Sequence, residues 1–138
     1  MADPLVIHAD LDLFLVGWYR RALAARPEAV CRNVVVDIRE SNAARQLIVR
    51  ADGGVDTSII SAERDVGLSI LAGTVENPKD ANDLANIVHA LRTQIPAVEP
   101  GNPVTAVLRS SGPLPVPESQ EKARRYITLT LAVAGTPL

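Results

Sequence analysis

The sequence predicts an α+β domain: a mostly antiparallel β-sheet meander with two main α-helices packed against it. Three observations carry that expectation. Residues 77–95 place apolar side chains at helical spacing with polar ones opposite, and residues 9–26 do so a second time. Most other apolar runs alternate with a period of two, as a strand does when one face is buried and the other is wet. In order along the chain the pattern reads helix, four strands, helix, two strands.

The stretch from Asn77 to Ile95 is the most fully specified. Asn77 is placed to cap the first free amides, Pro78 suits the first helical position, and Asp80 and Asp83 set negative charge near the positive end of the helix dipole. Ala81, Leu84, Ala85, Val88, Leu91 and Ile95 form the face to be buried, while Asn82, Asp83, Asn86, His89, Arg92 and Thr93 point largely away. Each larger aliphatic side chain buried there contributes roughly 1.5–3 kcal/mol, so Leu84→Asp is expected to unfold the domain or its docking surface.

The earlier helix begins at Asp10 or Asp12, carries a stripe of Leu11, Phe14, Leu15, Trp18, Ala22 and Ala25, and is stopped by Pro27. Gly17 costs roughly 1 kcal/mol in a helix interior, which points to a close approach by another group. Residues 1–8 form a flexible or edge-pairing arm, since Pro4 discourages helix. Strands are expected over Cys31–Ile38, with Val34, Val36 and Ile38 on one face, and over Arg45–Ala51, with Leu47, Val49 and Ala51 on one face. Their short polar link, Arg39–Ala44, favours a hairpin. Asp52-Gly53-Gly54 makes the next turn and leads to a weaker strand at Val55–Ile60. In Arg64–Ala72, Val66, Leu68 and Ile70 oppose Gly67 and Ser69, leaving one side small or open. After the central helix, residues 96–103 read as loop and 104–109 as strand. Residues 110–120 hold three prolines and read as an extended excursion whose removal between Leu114 and Glu118 should spare the fold. The last strand, 126–134, turns Ile127, Leu129, Leu131 and Val133 inward and ends at Gly135.

A chain of 138 residues supports one core, and residues 1–138 are read as one domain. A net charge of −2 gives no bulk attraction for nucleic acid or an anionic membrane. Phe14, Trp18, Tyr19 and Tyr126 are the aromatics, too few for a base-stacking platform. Cys31, the single cysteine, reads as a small buried hydrophobe. The charges of Asp10 and Asp12 beside the apolar run 11–16 argue against a secretory leader, and no run has the length of a membrane span.

Catalytic patterns are weak. His8-Ala9-Asp10-Leu11-Asp12 after an apolar triplet has the outline of a paired-carboxylate site, but helix capping explains both carboxylates and the chain is too short for that fold. His8 and His89 have no third ligand at metal spacing. Phosphate-binding glycine motifs and the nucleophile elbow are missing. The expectation is a non-enzyme without cofactor or metal.

The order of motifs resembles the tail-terminator, or tail-completion, proteins of long-tailed bacteriophages. The resemblance lies in the N-terminal amphipathic helix, the Val34-Val35-Val36 strand, Arg50-Ala51-Asp52-Gly53-Gly54, Asp65-Val66 opening a strand that ends at Gly73-Thr74, the Asp83-Leu84-Ala85 helix, and Arg125 opening a strand that runs to Gly135. It implies a virion protein, made in the bacterial cytoplasm, that forms a homo-hexameric ring at the tail–neck junction. Such a ring sits on the last ring of tail-tube protein, stops polymerisation and offers a docking surface to head-completion or connector proteins. DNA passing through it would make no sequence-specific contact, and no membrane is involved. The residues expected at subunit or tube contacts are Arg39, Glu40, Arg45, Arg50, Asp52, Asp56, Leu114, Val116, Glu118, Arg124 and Arg125. Two other readings stay open: a neck subunit on the portal side, and a small ligand-binding domain with a pocket floored by Gly67 and Ser69.

Overall fold

The computed structural model describes residues 5–117 and 121–138. The chain runs β1 (Val6–Ile7), α1 (Leu11–Ala24), β2 (Val35–Asp37), β3 (Gln46–Gly53), β4 (Ser61–Ala72), α2 (Lys79–Leu91), β5 (Val104–Val116), β6 (Ala123–Ala134) and β7 (Thr136–Pro137), with short 3₁₀ turns at Ala29–Cys31 and Arg92–Gln94. The fold is α+β, as the alternation predicts. Five strands form one sheet in the order β2-β3-β4-β6-β5, and β1 pairs with β7 in a two-stranded ribbon.

Both helices lie on one face of the sheet. α2 buries Ala81, Leu84, Ala85, Val88 and Leu91, with Ile95 just beyond it, against Leu68, Ile127, Leu129 and Leu131 of the central strands. That is the face the sequence assigns. Its cap differs: the first helical residue is Lys79, and Pro78 occupies the cap position with no side-chain bond. Asn77 instead donates its backbone N–H to the Thr74 hydroxyl and accepts from Thr74 N–H at its carbonyl, which closes the turn after Gly73. In α1 the buried set is Leu11, Leu15, Val16, Tyr19 and Leu23, so the face is rotated from the expected stripe, leaving Phe14, Trp18 and Ala22 half-buried and Ala25 exposed. Tyr19 drives the rotation. It is fully buried, its hydroxyl donates to the Val88 carbonyl at 3.3 Å, and burial pushes its pKa well above the ordinary tyrosine value. Asp10 caps α1 without a side-chain bond, and Asp12 accepts from Leu13 N–H instead. No backbone approaches Gly17; a Cβ there would meet only the Arg21 guanidinium at 3.4 Å.

Four strand expectations are corrected. The first concerns Cys31–Ile38, where only Val35–Asp37 is strand; Cys31 belongs to a 3₁₀ turn and is buried. Second, β2 and β3 are parallel rather than a hairpin, with Val35 opposite Gln46 and Asp37 opposite Ile48. A parallel return usually needs a dozen or more residues. Here β2 has three residues, so the link 38–45 is long enough to carry the chain back to its start. Gln46, the one buried polar residue among the described residues, holds that link: Ser41 N–H donates to its Oε1 at 2.8 Å, and its Nε2 donates to the carbonyls of Ser41 and Ala43 at 2.7 and 2.9 Å. Third, Val55–Ile60 is not a strand. It makes one bridge, Asp56 to Ala62; the Ser58 hydroxyl accepts from the N–H groups of Ile60 and Ser61, and the Ser61 carbonyl accepts from those of Thr57 and Ser58. Fourth, residues 110–116 are not a loop but the second half of β5, pairing with β6 as far as Val116 opposite Arg124. Three register shifts and an edge position let Pro113 and Pro115 be accommodated there. Removing 114–116 would thus strip ladder pairs from the sheet. Of the arm expected at 1–8, Val6 and Ile7 are paired with Pro137 and Thr136, the edge-pairing alternative; residues 1–4 lie outside the described residues.

Candidate assembly surface

Every strand of the large sheet turns one side to the helices, and the register shows what lies on the other. Across β3, β4, β6 and β5 the uncovered face carries Arg50, Gly67, Thr128 and Ser111 in one row, and Asp65, Thr130 and Arg109 in the next. These side chains are joined to one another. Arg50 Nε bonds Asp52 Oδ1 at 2.7 Å, and its Nη2 reaches the Tyr126 hydroxyl at 3.0 Å. Thr130 Oγ1 donates to Asp65 Oδ1 at 2.8 Å, and Arg109 pairs with Glu63 at 3.4 Å. Asp52 and Tyr126 raise the Arg50 pKa above its ordinary value, the Asp52 hydrogen bond first. Exposed pairs of this kind are worth about 0–1 kcal/mol each, so they orient the surface more than they stabilise the fold.

Tyr126 lies across Gly67, where an added methyl group would overlap its hydroxyl. The space proposed above as the floor of a pocket is therefore filled. A groove of about 550 Å³ lies elsewhere, beside the 96–103 loop, lined by Pro96, Val98, Pro100 and Asn102. Among the described residues no three His, Cys, Asp or Glu side chains gather as they would around a metal ion. His89 is half-buried on α2, facing Ser110 at 3.3 Å and Arg92 at 3.4 Å; burial first, then the Arg92 charge, lowers its pKa.

The expected contact residues do not form one patch. Arg50 and Asp52 lie on the uncovered face at the β3 side, and Leu114, on β5, is 54% exposed opposite Tyr126. Val116 is half-buried opposite Arg124. Glu40 and Arg124 form an ion pair that, with Lys122 Nζ on the Asn42 carbonyl, ties the 39–44 link to this end of the sheet. Arg39 is exposed on that link. Arg45 faces inward, joining the carbonyls of Ala29 and Arg32 to Asp80 at the start of α2, a structural clamp rather than a contact surface. Arg125 faces the helix side and bonds Asn82 Oδ1 at 2.7 Å. Asp56 pairs with Arg64 at the opposite end of the sheet. Glu118 lies outside the described residues.

Sequence reasoning missed Glu63, Asp65 and Arg109 as members of the surface. The signal was present: Glu63 and Asp65 alternate with Ala62, Arg64 and Val66 along β4. Comparison with protein-family models and with curated protein sequences finds no match.

Proposed function

We propose that this chain is a structural subunit of a long-tailed phage virion. It forms a hexameric ring on the end of the tail tube, stops tube polymerisation and presents the docking surface for head-completion proteins. It acts by fitting against other proteins, with no bond made or broken. The order of sequence motifs suggests the family, and one observation supports it most: the sheet is covered by helices on one side only, leaving a broad face of ion-paired and hydroxyl side chains. Its charged groups are already partnered within the subunit, Arg50 with Asp52, Arg109 with Glu63 and Asp65 with Thr130, so it carries little net charge into a contact and suits a large shape-matched interface better than capture of a single charged ligand. Capping follows from asymmetry. A ring that binds the tube through one rim and has no tube-like rim beyond it gives the next tube subunit nowhere to add.

The test mixes the purified chain with tail-tube protein during polymerisation. Electron microscopy should show rings seated on tube ends, and tube length should fall as the chain is added. Tubes of unaltered length with bare ends would refute capping. Binding to connector rings in place of tubes would move the subunit to the portal side of the neck.

A further inference from the structure

The two ends of α1 lie in surroundings of opposite charge, and beside each end aliphatic side chains stand in solvent. At its start is the β1–β7 ribbon, where Ile7 faces Thr136, Val6 faces Pro137, and Leu138 N–H donates to the Leu5 carbonyl. Val6 turns inward, since a Cβ on Gly135 would overlap its Cγ1. Alternation therefore sets Leu5, Ile7 and Leu138 on the outward face, at 54–80% exposure. Ile59 and Ile60 adjoin them through the bond from Gly135 N–H to the Ile60 carbonyl, and both are exposed. Together these side chains show apolar surface on the order of 500 Å², large for a chain that stands alone. Asp10, Asp12, Asp52, Asp56, Glu63 and Asp65 gather in this half of the molecule against Arg50, Arg64 and Arg109. Beyond the other end of α1 the balance reverses: residues 20–39 hold five arginines and two acids. Arg21, Arg32 and Arg39 are exposed there and make no ion pair among the described residues. Val35 and Ile38 are exposed too, and Val34 lines a cleft of about 340 Å³ with Leu23, Ala24, Arg20 and Arg32. The α1 dipole accounts for Asp12 and Arg21 but not for Arg32, Arg39, Asp52 or Asp56, which lie on other elements.

We propose that the ribbon end of one copy docks on the arginine-rich end of α1 in the next copy, with Ile7 and its neighbours set against Val35, Ile38 and the cleft. Charge decides the partner. Two ribbon ends brought together would meet acid to acid, whereas the arginine end meets the ribbon with opposite sign and fixes which surface goes where. Each side then supplies aliphatic groups for the centre of the contact and charged groups for its rim, the usual anatomy of a protein interface. The pairing cannot form within one chain, because α1, a helix of 14 residues, holds the two ends about 21 Å apart. The contact joins two different surfaces and is heterologous, so it repeats from copy to copy until the ring closes. It adds no strand to the sheet, and β2 keeps its place beside β3.

This inference rests on the ring reading for closure alone, and the docking itself is measured without tube protein. Arg21→Glu with Arg32→Glu makes a chain that is acidic at both ends, and Asp10→Lys with Asp56→Lys makes one that is basic at both. All four side chains are exposed, and circular dichroism checks that each variant folds. Light scattering across a concentration series should show the parent associating, less so as salt is raised. Each variant alone should associate at least tenfold more weakly. Their equimolar mixture should return close to the parent, because alternating copies again set acid against arginine at every contact. Ile7→Ser should weaken association with the fold unchanged. A parent that stays monomeric at every concentration, a mixture no stronger than its parts, or variants that associate like the parent would each overturn the proposal. So would loss of association in Ile7→Ser with neither charge reversal having an effect, since ribbon would then be meeting ribbon. Tubes capped normally by either charge-reversed chain would remove this contact and leave the capping function; restored mixtures beside bare tube ends would do the reverse.

Discussion

Replacing Gln46 by alanine removes three hydrogen bonds from a side chain that is 1% exposed, and with them the anchor of the link that makes β2 parallel to β3. The freed groups belong to Ser41, which is exposed, and Ala43, which is half-buried, so water can reach them and the full cost of burying unpaired groups does not apply. At roughly 0.5–1.5 kcal/mol per bond the loss is about 3 kcal/mol. For a chain of this size that lowers the melting temperature by roughly 10 °C. Urea unfolding followed by circular dichroism should show a reduced midpoint with an unchanged slope, because the surface exposed on unfolding is nearly the same. Gln46→Glu should be worse than alanine at neutral pH, since it sets a carboxylate against two carbonyls, and should recover as acid protonates it. An alanine variant within about 0.5 kcal/mol of the parent would refute the idea that this side chain holds the crossover.

Three further outcomes follow from the packing. Gly17→Ala should raise stability by about 0.5–1 kcal/mol, because the helix gains a better former and only the end of Arg21 lies nearby; a fall on thermal melting would mean that the glycine serves a contact not seen in the single chain. Gly67→Ala should cost about 1 kcal/mol by displacing Tyr126 from Arg50, and should cost almost nothing in a Tyr126→Ala background, a coupling that a double-mutant cycle measures. The His89 pKa is lower folded than unfolded, so its contribution to stability is complete above about 6.5, the unfolded value, and is lost as pH falls through the folded value. Unfolding free energies from pH 7.5 down to 5 should show that decline in the parent and a flatter profile in His89→Gln.

What the sequence disclosed and what it concealed divide along one physical line. The α2 face and the alternation of Ile127, Leu129, Leu131 and Val133 were readable, because burial on one side imposes a period that neighbouring residues carry by themselves. The rotation of α1 was not, since it depends on Tyr19 finding the Val88 carbonyl 69 positions away, and nothing local to α1 announces that partner. The same holds for β2 and β3: a short polar link suits a hairpin by its length, and the parallel return exists only because Gln46 satisfies the backbone of that link from the next strand. Val55–Ile60 reads as strand from composition, yet its partner side is already taken at Asp56 by Ala62 and its serines offer the backbone a competing set of bonds. Residues 110–116 show the converse. Their prolines argue against a central strand and were taken to argue against any strand, but at the edge of a sheet a missing amide costs a ladder nothing when it faces outward. For the surface, type and alternation marked the polar face of β6 but not its members from β3, β4 and β5, since a row across a sheet is set by register and register is not written in any one strand. An assembly surface of this kind is therefore harder to read from sequence than a catalytic motif: its chemistry is ordinary residue by residue, and only pairing brings Arg50, Asp65, Arg109 and Thr130 onto one plane.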